Sequence, residues 1–349
     1  HMLQQLDVSP SEFWFDADTF ARGLIELREL YDFDGILVSL HGHRQGWREE
    51  LVKLERKGDI EIVTFSDREL VFTRDDLPTV RFLVPVVHPT IDTANPADIP
   101  DQIDYIPVSQ DLHFHLDLDN KFAVFDLIQA QVGDEYSIHG EITSPFDYLL
   151  DYLGHESALT ALILAPDRCR ALLQRFANGI AALAREMCAQ PIDAVKISSP
   201  FAGMGFISPD FYRRFVLPYE GQIIAAIKEQ GKYAYLHTCG AINDRLEAMA
   251  ESGTSGLECL DPPPLGNVEL EDAVRRVGQS LFIKGNVDSV NTLLQGSEED
   301  ILADVKRRIQ IGKTGRGFIL STACSIAPHV RRERVQLLAK LAQEYGVYA

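Results

Sequence analysis

From about Gly133 onward, short apolar runs alternate with longer amphipathic stretches. Tyr136 to His139, Ala194 to Ser198, Tyr233 to His237, Gly256 to Leu260, Leu281 to Lys284 and Phe318 to Leu320 have the length and composition of buried strands. Between Pro166 and Cys188 the apolar residues Leu172, Leu173, Phe176, Ile180 and Leu183 recur at helical spacing. Ser208-Pro209-Asp210 supplies an N-cap, a proline at the first helical position and an acid in the first turn. It predicts a helix to about Gln230, stopped by Gly231. Further helices are predicted over Ile242 to Glu251 and Val268 to Val277. Ser297 with Asp300 reads as a capping box for a helix reaching about Ile311, and Pro328 opens the last one. Near the start, a helix from about Asp18 to Tyr31 leads into a buried strand, Gly35 to Leu40.

Strand, loop and helix in regular alternation imply parallel strands joined by right-handed crossovers. Seven strands are clear, and an eighth is expected within residues 103–127. Eight would close a (β/α)8 TIM barrel, an α/β fold whose chemistry sits at the strand C-termini. Residues 45–125 break the rhythm. Glu61 to Phe65 and Glu69 to Thr73 predict a hairpin around Ser66-Asp67-Arg68, and Thr79 to Val87 a further strand. The expectation is one domain over 1–349, with 45–125 a β-rich insertion near the N-terminus that caps the barrel mouth. Trp47, Phe65, Phe72 and Phe82 in that insertion are candidates for an aromatic-lined pocket.

Charge narrows the partners. The 349 residues carry a net charge of −19, a surface that repels phosphate backbones and anionic membranes. Neither a nucleic acid nor a membrane is expected as partner. No run of 18 apolar residues and no signal peptide is seen, so a cytoplasmic location is expected. His1-Met2 reads as a cloning remnant, which leaves open that the natural chain begins earlier. Five cysteines, an odd number, argue against a disulfide framework. Cys169 and Cys188 fall in a helical pattern as small core residues, and Cys259 reads as a buried strand residue. No Gly-x-Gly-x-x-Gly follows any strand, so no dinucleotide site is expected.

The chemistry concentrates in Tyr235-Leu236-His237-Thr238-Cys239-Gly240 and Leu320-Ser321-Thr322-Ala323-Cys324-Ser325. Each segment reads as a strand ending in a turn. Residues i and i+2 of a strand face the same way, so His237 and Cys239 can aim an imidazole and a thiolate at one point. Cys324 also follows a strand. Two thiolates and an imidazole suit zinc, and three protein ligands leave a fourth position for substrate. The plain alternative is two buried cysteines and a core histidine.

Several segments together carry a family resemblance. They are Ile207-Ser208-Pro209-Asp210-Phe211-Tyr212, Leu236-His237-Thr238-Cys239-Gly240, Gly256-Leu257-Glu258, Lys284-Gly285-Asn286-Val287-Asp288 and Cys324-Ser325-Ile326-Ala327-Pro328. In this order the chain resembles the uroporphyrinogen decarboxylase superfamily, in its zinc-dependent corrinoid (cobalamin) methyltransferase branch. The resemblance implies a (β/α)8 barrel with Zn2+ held by His237, Cys239 and Cys324. It also implies methyl transfer to or from the cobalt of a corrinoid protein docked over the barrel mouth. The other partner in the transfer would be a small methyl donor, such as a methoxylated aromatic, or a thiol acceptor. Ala323 stands where a glycine is usual. In relatives an acid can complete the zinc shell, and here Glu258 and Asp261 are both candidates.

Other candidates are less determined. His41 and His43 follow the first strand at i and i+2, either lining the mouth beside a cofactor or filling surface and core positions. Glu141 is a candidate general acid or a partner behind the metal ligands, or a solvated loop acid. Asn286 either positions substrate or forms a turn with Gly285. His113 and His115 lie in the insertion and read as structural. The competing activity is a uroporphyrinogen-type decarboxylase, which needs basic side chains for many carboxylates and no metal. A corrinoid- or metal-binding protein without catalysis is a third reading. Oligomeric state is not legible in the sequence.

Overall fold

Seven short strands build one parallel sheet that carries the candidate chemistry on its C-terminal edge. The computed structural model describes residues 1–39, 43, 45–109 and 111–348. Strand β1 (Gly35–Val38) opens the sheet. Then come β2 (Lys53–Lys57), β3 (Ile60–Thr64), β4 (Arg68–Phe72), β5 (Thr79–Phe82), β6 (Tyr105–Pro107) and β7 (His113–His115). The sheet resumes with β8 (Ser137–Thr143), β9 (Ala194–Ser198), β10 (Tyr233–Thr238), β11 (Gly256–Cys259), β12 (Phe282–Val287) and β13 (Gly317–Thr322). Its order is β1-β8-β9-β10-β11-β12-β13, parallel throughout. Strands β9 to β11 are buried nearly end to end, as parallel strands covered by helices must be.

The expected eighth strand does not join this sheet among the described residues. In the 103–127 window, β6 and β7 pair antiparallel with each other instead. Each is three residues long, and Pro107 has no N–H to give a neighbour. No ladder joins β1 to β13 among the described residues, so the curled sheet has a seam. Helices Ala17–Tyr31 and Arg332–Tyr345 pack across it. Gln336 donates to the Leu30 carbonyl at 2.9 Å and Gln343 to Asp32 at 2.7 Å.

Helix boundaries moved for local reasons. The helix expected from Pro209 to Gln230 is two, Pro209–Phe215 and Leu217–Glu229. Pro218 cannot donate to the carbonyl four residues back and disfavours α geometry at Leu217. The helix expected from Ile242 starts at Leu246, because the Asn267 side chain takes the N–H groups of Ile242 and Asn243. The last helix starts at Arg332 rather than Pro328. By contrast, the Ser297–Asp300 capping box is present as expected.

The hairpin expected around Ser66-Asp67-Arg68 is β3–β4, within an antiparallel sheet ordered β2-β3-β4-β5. Its inner face packs on the N-terminal helix Pro10–Phe15 through Trp14 against Phe72 and Phe15 against Phe65. The β6–β7 hairpin meets the ends of the main strands. Thr143, last in β8, donates to the Pro107 carbonyl at 3.3 Å, and the His43 ring, just past β1, stands on Phe114. Among the described residues no helix is long and apolar enough to cross a membrane.

Candidate metal centre

Strand β10 ends with His237 on the concave face and Cys239 one residue beyond the strand. Their Nε2 and Sγ atoms are 3.2 Å apart. Cys324 arrives from the loop after β13, and its Sγ lies 3.8 Å from that of Cys239. A tetrahedral ion with metal–sulfur bonds of about 2.3 Å separates its sulfur ligands by about 3.8 Å. The observed spacing is that of a tetrahedron's edge, so these two sulfurs fit zinc, and His237, Cys239 and Cys259 offer ligand atoms that all lie within 4.8 Å of one another.

The histidine tautomer is fixed from behind. His237 Nδ1 is 2.9 Å from Glu258 Oε2, and a carboxylate can only accept, so Nδ1 carries the proton. Against burial, hydrogen bonds with Cys239, Cys324 and Glu258 push the His237 imidazole well above its usual value, and with a metal bound Nε2 would be its coordinating atom, backed by the carboxylate on Nδ1. Glu258 lies opposite His237 in the β10–β11 register. Burial works against its charge, yet Lys196, the His237 ring and Lys284 hold its carboxyl well below the usual range. Lys196 reaches Glu258 at 3.6 Å and Glu141 at 2.8 Å, while Lys284 contacts the other Glu258 oxygen. Glu141, Lys196, Glu258 and Lys284 thus alternate in sign across β8, β9, β11 and β12.

A neutral layer lies beneath. Ser137 donates to Asp193 at 2.8 Å, so its oxygen accepts from His139 Nε2 at 3.0 Å. His139 Nδ1 is then the acceptor for the Tyr235 hydroxyl at 3.0 Å. Burial pushes the His139 imidazole down to about 4, consistent with a neutral ring.

The turns that present the ligands are packed by glycines. A Cβ on Gly203 would stand 2.9 Å from the Cys239 carbonyl oxygen, and one on Gly266 only 2.4 Å from that of Asp261. Asp261 Oδ2 accepts from the Gly240 N–H at 2.7 Å, holding the loop after Cys239, and its Oδ1 has no partner. Burial pushes this carboxyl up, against the Gly240 N–H and the Cys259 side chain. Hydrogen bonds with Cys239, Cys259 and His237 push the Cys324 thiol down, toward thiolate. The thiols of Cys239 and Cys324, together with burial, push the Cys259 thiol up.

The other expected residues fall in distinct places. Glu141 lies inside β8, which runs to Thr143, and is an ion-paired strand residue rather than a loop acid. Asn286 is fully buried; its Nδ2 donates to the Leu260 carbonyl at 2.8 Å and its Oδ1 accepts from Arg308. His41 lies outside the described residues. His43 is buried between Phe20 and Phe114 with neither ring nitrogen partnered, and burial pushes it down to about 3. It lines a cavity of about 70 Å³ with Trp14, Phe15, Trp47, Phe65, Phe82 and Phe114. Phe72 is buried behind that wall. His113 pairs with Asp151 at 2.7 Å, the structural role expected of it.

Sequence reading missed Lys196, Lys284 and Cys259. A lysine in the middle of an apolar parallel strand was itself a signal, since buried lysine needs a partner. For Cys259 no such signal existed, because strand alternation turns it away from Glu258.

Comparison with known proteins follows the same lines. A family model described as uroporphyrinogen decarboxylase (URO-D) matches residues 85–345. The methylcobamide:CoM methyltransferase MtbA of Methanosarcina acetivorans is 26% identical over 219 residues, covering 63% of this chain and 61% of that protein. The methylcobamide:CoM methyltransferase MtaA of Methanosarcina barkeri is 25% identical over 253 residues, 72% of this chain and 71% of that protein. The chain thus spans about three-fifths of the length of the first of these relatives. A solved methyltransferase from Methanosarcina mazei shares the fold, with a TM-score of 0.72 at 20% identity over 99% of this chain and 90% of that one.

Proposed function

The chain belongs to the uroporphyrinogen decarboxylase family, and from that premise we propose that it is a zinc-dependent methyltransferase. It would move a methyl group between a small substrate, a methoxylated aromatic or a thiol, and the cobalt of a corrinoid protein. The observation that carries this reading is the 3.8 Å sulfur–sulfur spacing of Cys239 and Cys324, with His237 Nε2 at 3.2 Å from Cys239 Sγ. Two relatives are named methylcobamide:CoM methyltransferases, which supports a corrinoid as one party to the transfer.

His237, Cys239 and Cys324 would hold the metal. Zinc bound there would keep a substrate thiol deprotonated and nucleophilic, or draw electron density from an ether oxygen. Glu258 orients His237 and keeps its proton on Nδ1. Lys196 and Lys284 keep Glu258 charged, so that it accepts the Nδ1 proton and Nε2 is the atom that would bind the metal. Asp261 fixes the Cys239–Gly240 turn with one oxygen and presents the other to the site. Asn286 acts from behind, tying the turn after β11 to the helix that carries Arg308. The segment 45–125 would cap the mouth of a single domain, with His43 and the aromatic wall on the inner side of that cap.

The test is spectroscopic. Zinc-loaded protein is mixed with free Co(I) cobalamin and a panel of methoxyarenes, and with methylcobalamin and a panel of small thiols. Formation or loss of the methylcobalamin spectrum is expected in one arm. An unchanged corrinoid spectrum in both arms, with carbon dioxide released from uroporphyrinogen, would establish the decarboxylase activity instead.

A further inference from the structure

Cys259 is the last residue of β11 and fully buried. Glu258 before it points to the concave face, so alternation alone would send the Cys259 side chain to the other side. The backbone turns instead. Cys259 has φ of 81° and Leu260 of 55°, two successive non-glycine residues in the left-handed region. Such conformations are sparsely populated and persist only where the surrounding structure imposes them. Their consequence here is to deliver a thiol to the candidate metal centre. The Cys259 Sγ, the Cys239 Sγ and a ring nitrogen of His237 all lie within 4.8 Å of one another.

We propose that Cys259 is a fourth metal ligand, a third thiolate that fills the position substrate must take. The proposal rests on the zinc reading above and extends it. Three sulfurs and one nitrogen make a closed tetrahedral shell, whereas two sulfurs and one nitrogen leave an opening. Cys259 therefore guards the site until a small thiol displaces it. In that exchange the incoming thiol gives its proton to the departing Cys259 sulfur. One metal–sulfur bond breaks and one forms, Cys259 leaves as a neutral thiol, and the charge of the shell is unchanged. The buried Asp261 Oδ1, which has no partner, accepts the new S–H as a hydrogen bond.

Zinc K-edge X-ray absorption on the full chain, loaded with one equivalent of zinc under thiol-free reducing conditions, counts the sulfurs directly. The wild type should show three sulfurs and one nitrogen. Cys259→Ala should show two sulfurs with a light atom in the fourth place, and bind zinc at least about tenfold more weakly in chelator competition. Cys259→Ser keeps the bulk of the side chain at the turn and should give the same two sulfurs, which separates ligation from folding. Adding 2-mercaptoethanol should return the Cys259→Ala count to three and leave the wild type at three. A wild-type count of two sulfurs with a full equivalent of zinc overturns the role of Cys259 and leaves the His237, Cys239, Cys324 site standing. A wild type that binds no zinc overturns both.

Discussion

Each ring nitrogen of His237 faces its own partner, Glu258 or Cys239, and variants should separate the two roles proposed for them. Cys239→Ala and Cys324→Ala are expected to lose zinc by metal analysis while keeping the far-ultraviolet circular dichroism of the wild type, because the apolar core does not include them. Glu258→Gln leaves the ligands intact but frees the imidazole, so zinc affinity should fall about 10–100-fold in chelator competition. Retained affinity would remove Glu258 from the site. A pH experiment probes another buried pair. Burial pushes the carboxyls of Asp147 and Glu220 up to about 7, in a cluster with Ser144, Ser199 and Tyr212. Their folded-state values exceed the unfolded ones, so stability from this pair is complete below about pH 4 and is lost as pH rises toward about 7. His43, depressed by burial to about 3, acts oppositely: its contribution is present above about pH 6.5 and lost below it. Subtraction resolves the two. The Tm of Glu220→Gln should fall less than that of the wild type between about pH 5 and 7, and parallel curves would remove the acid pair as the cause. At this scale the two-residue spacing of His237 and Cys239 was readable, since it needs only strand periodicity. Lys196 and Lys284 depended on strand register, and Cys259 on a left-handed turn, neither of which a residue pattern contains.

Elements are legible where local chemistry decides them and illegible where a distant partner does. Pro166–Cys188 appears with the limits its apolar spacing predicts, and Ser297 caps its helix as Ser-x-x-Asp should. Ser297→Ala should therefore cost about 1 kcal/mol in urea unfolding, with an unchanged slope. Loss of much less would mean that Asp300 or the helix dipole suffices at that end. Strand β8 ran four residues past its expected end, because Glu141 reads as a loop acid until Lys196 is placed beside it. The window 103–127 does contain strands, yet whether they join the main sheet is settled by long-range pairing.

On the scale of the whole molecule, alternation of strand and helix was enough to give parallel order across seven strands, but not the fate of the eighth. The surface charge of −19 predicts that single- and double-stranded DNA leave the tryptophan fluorescence unchanged even at low salt. The seam would give a metal bound at this site a second effect. Among the described residues strand β13 is a border strand, paired on one side only, and it is less buried than β9 to β11, with Ile319 41% exposed. Such a border frays first, and its amides should trade protons with solvent faster than those of the inner strands. Cys324 hangs from the end of that border, while His237, Cys239 and Cys259 belong to the interior. An ion gripped by both halves staples the loose hem to the cloth. Deuterium uptake across Gly317–Thr322 should therefore slow when zinc is added and speed up again in Cys324→Ala, while β9 to β11 hardly change.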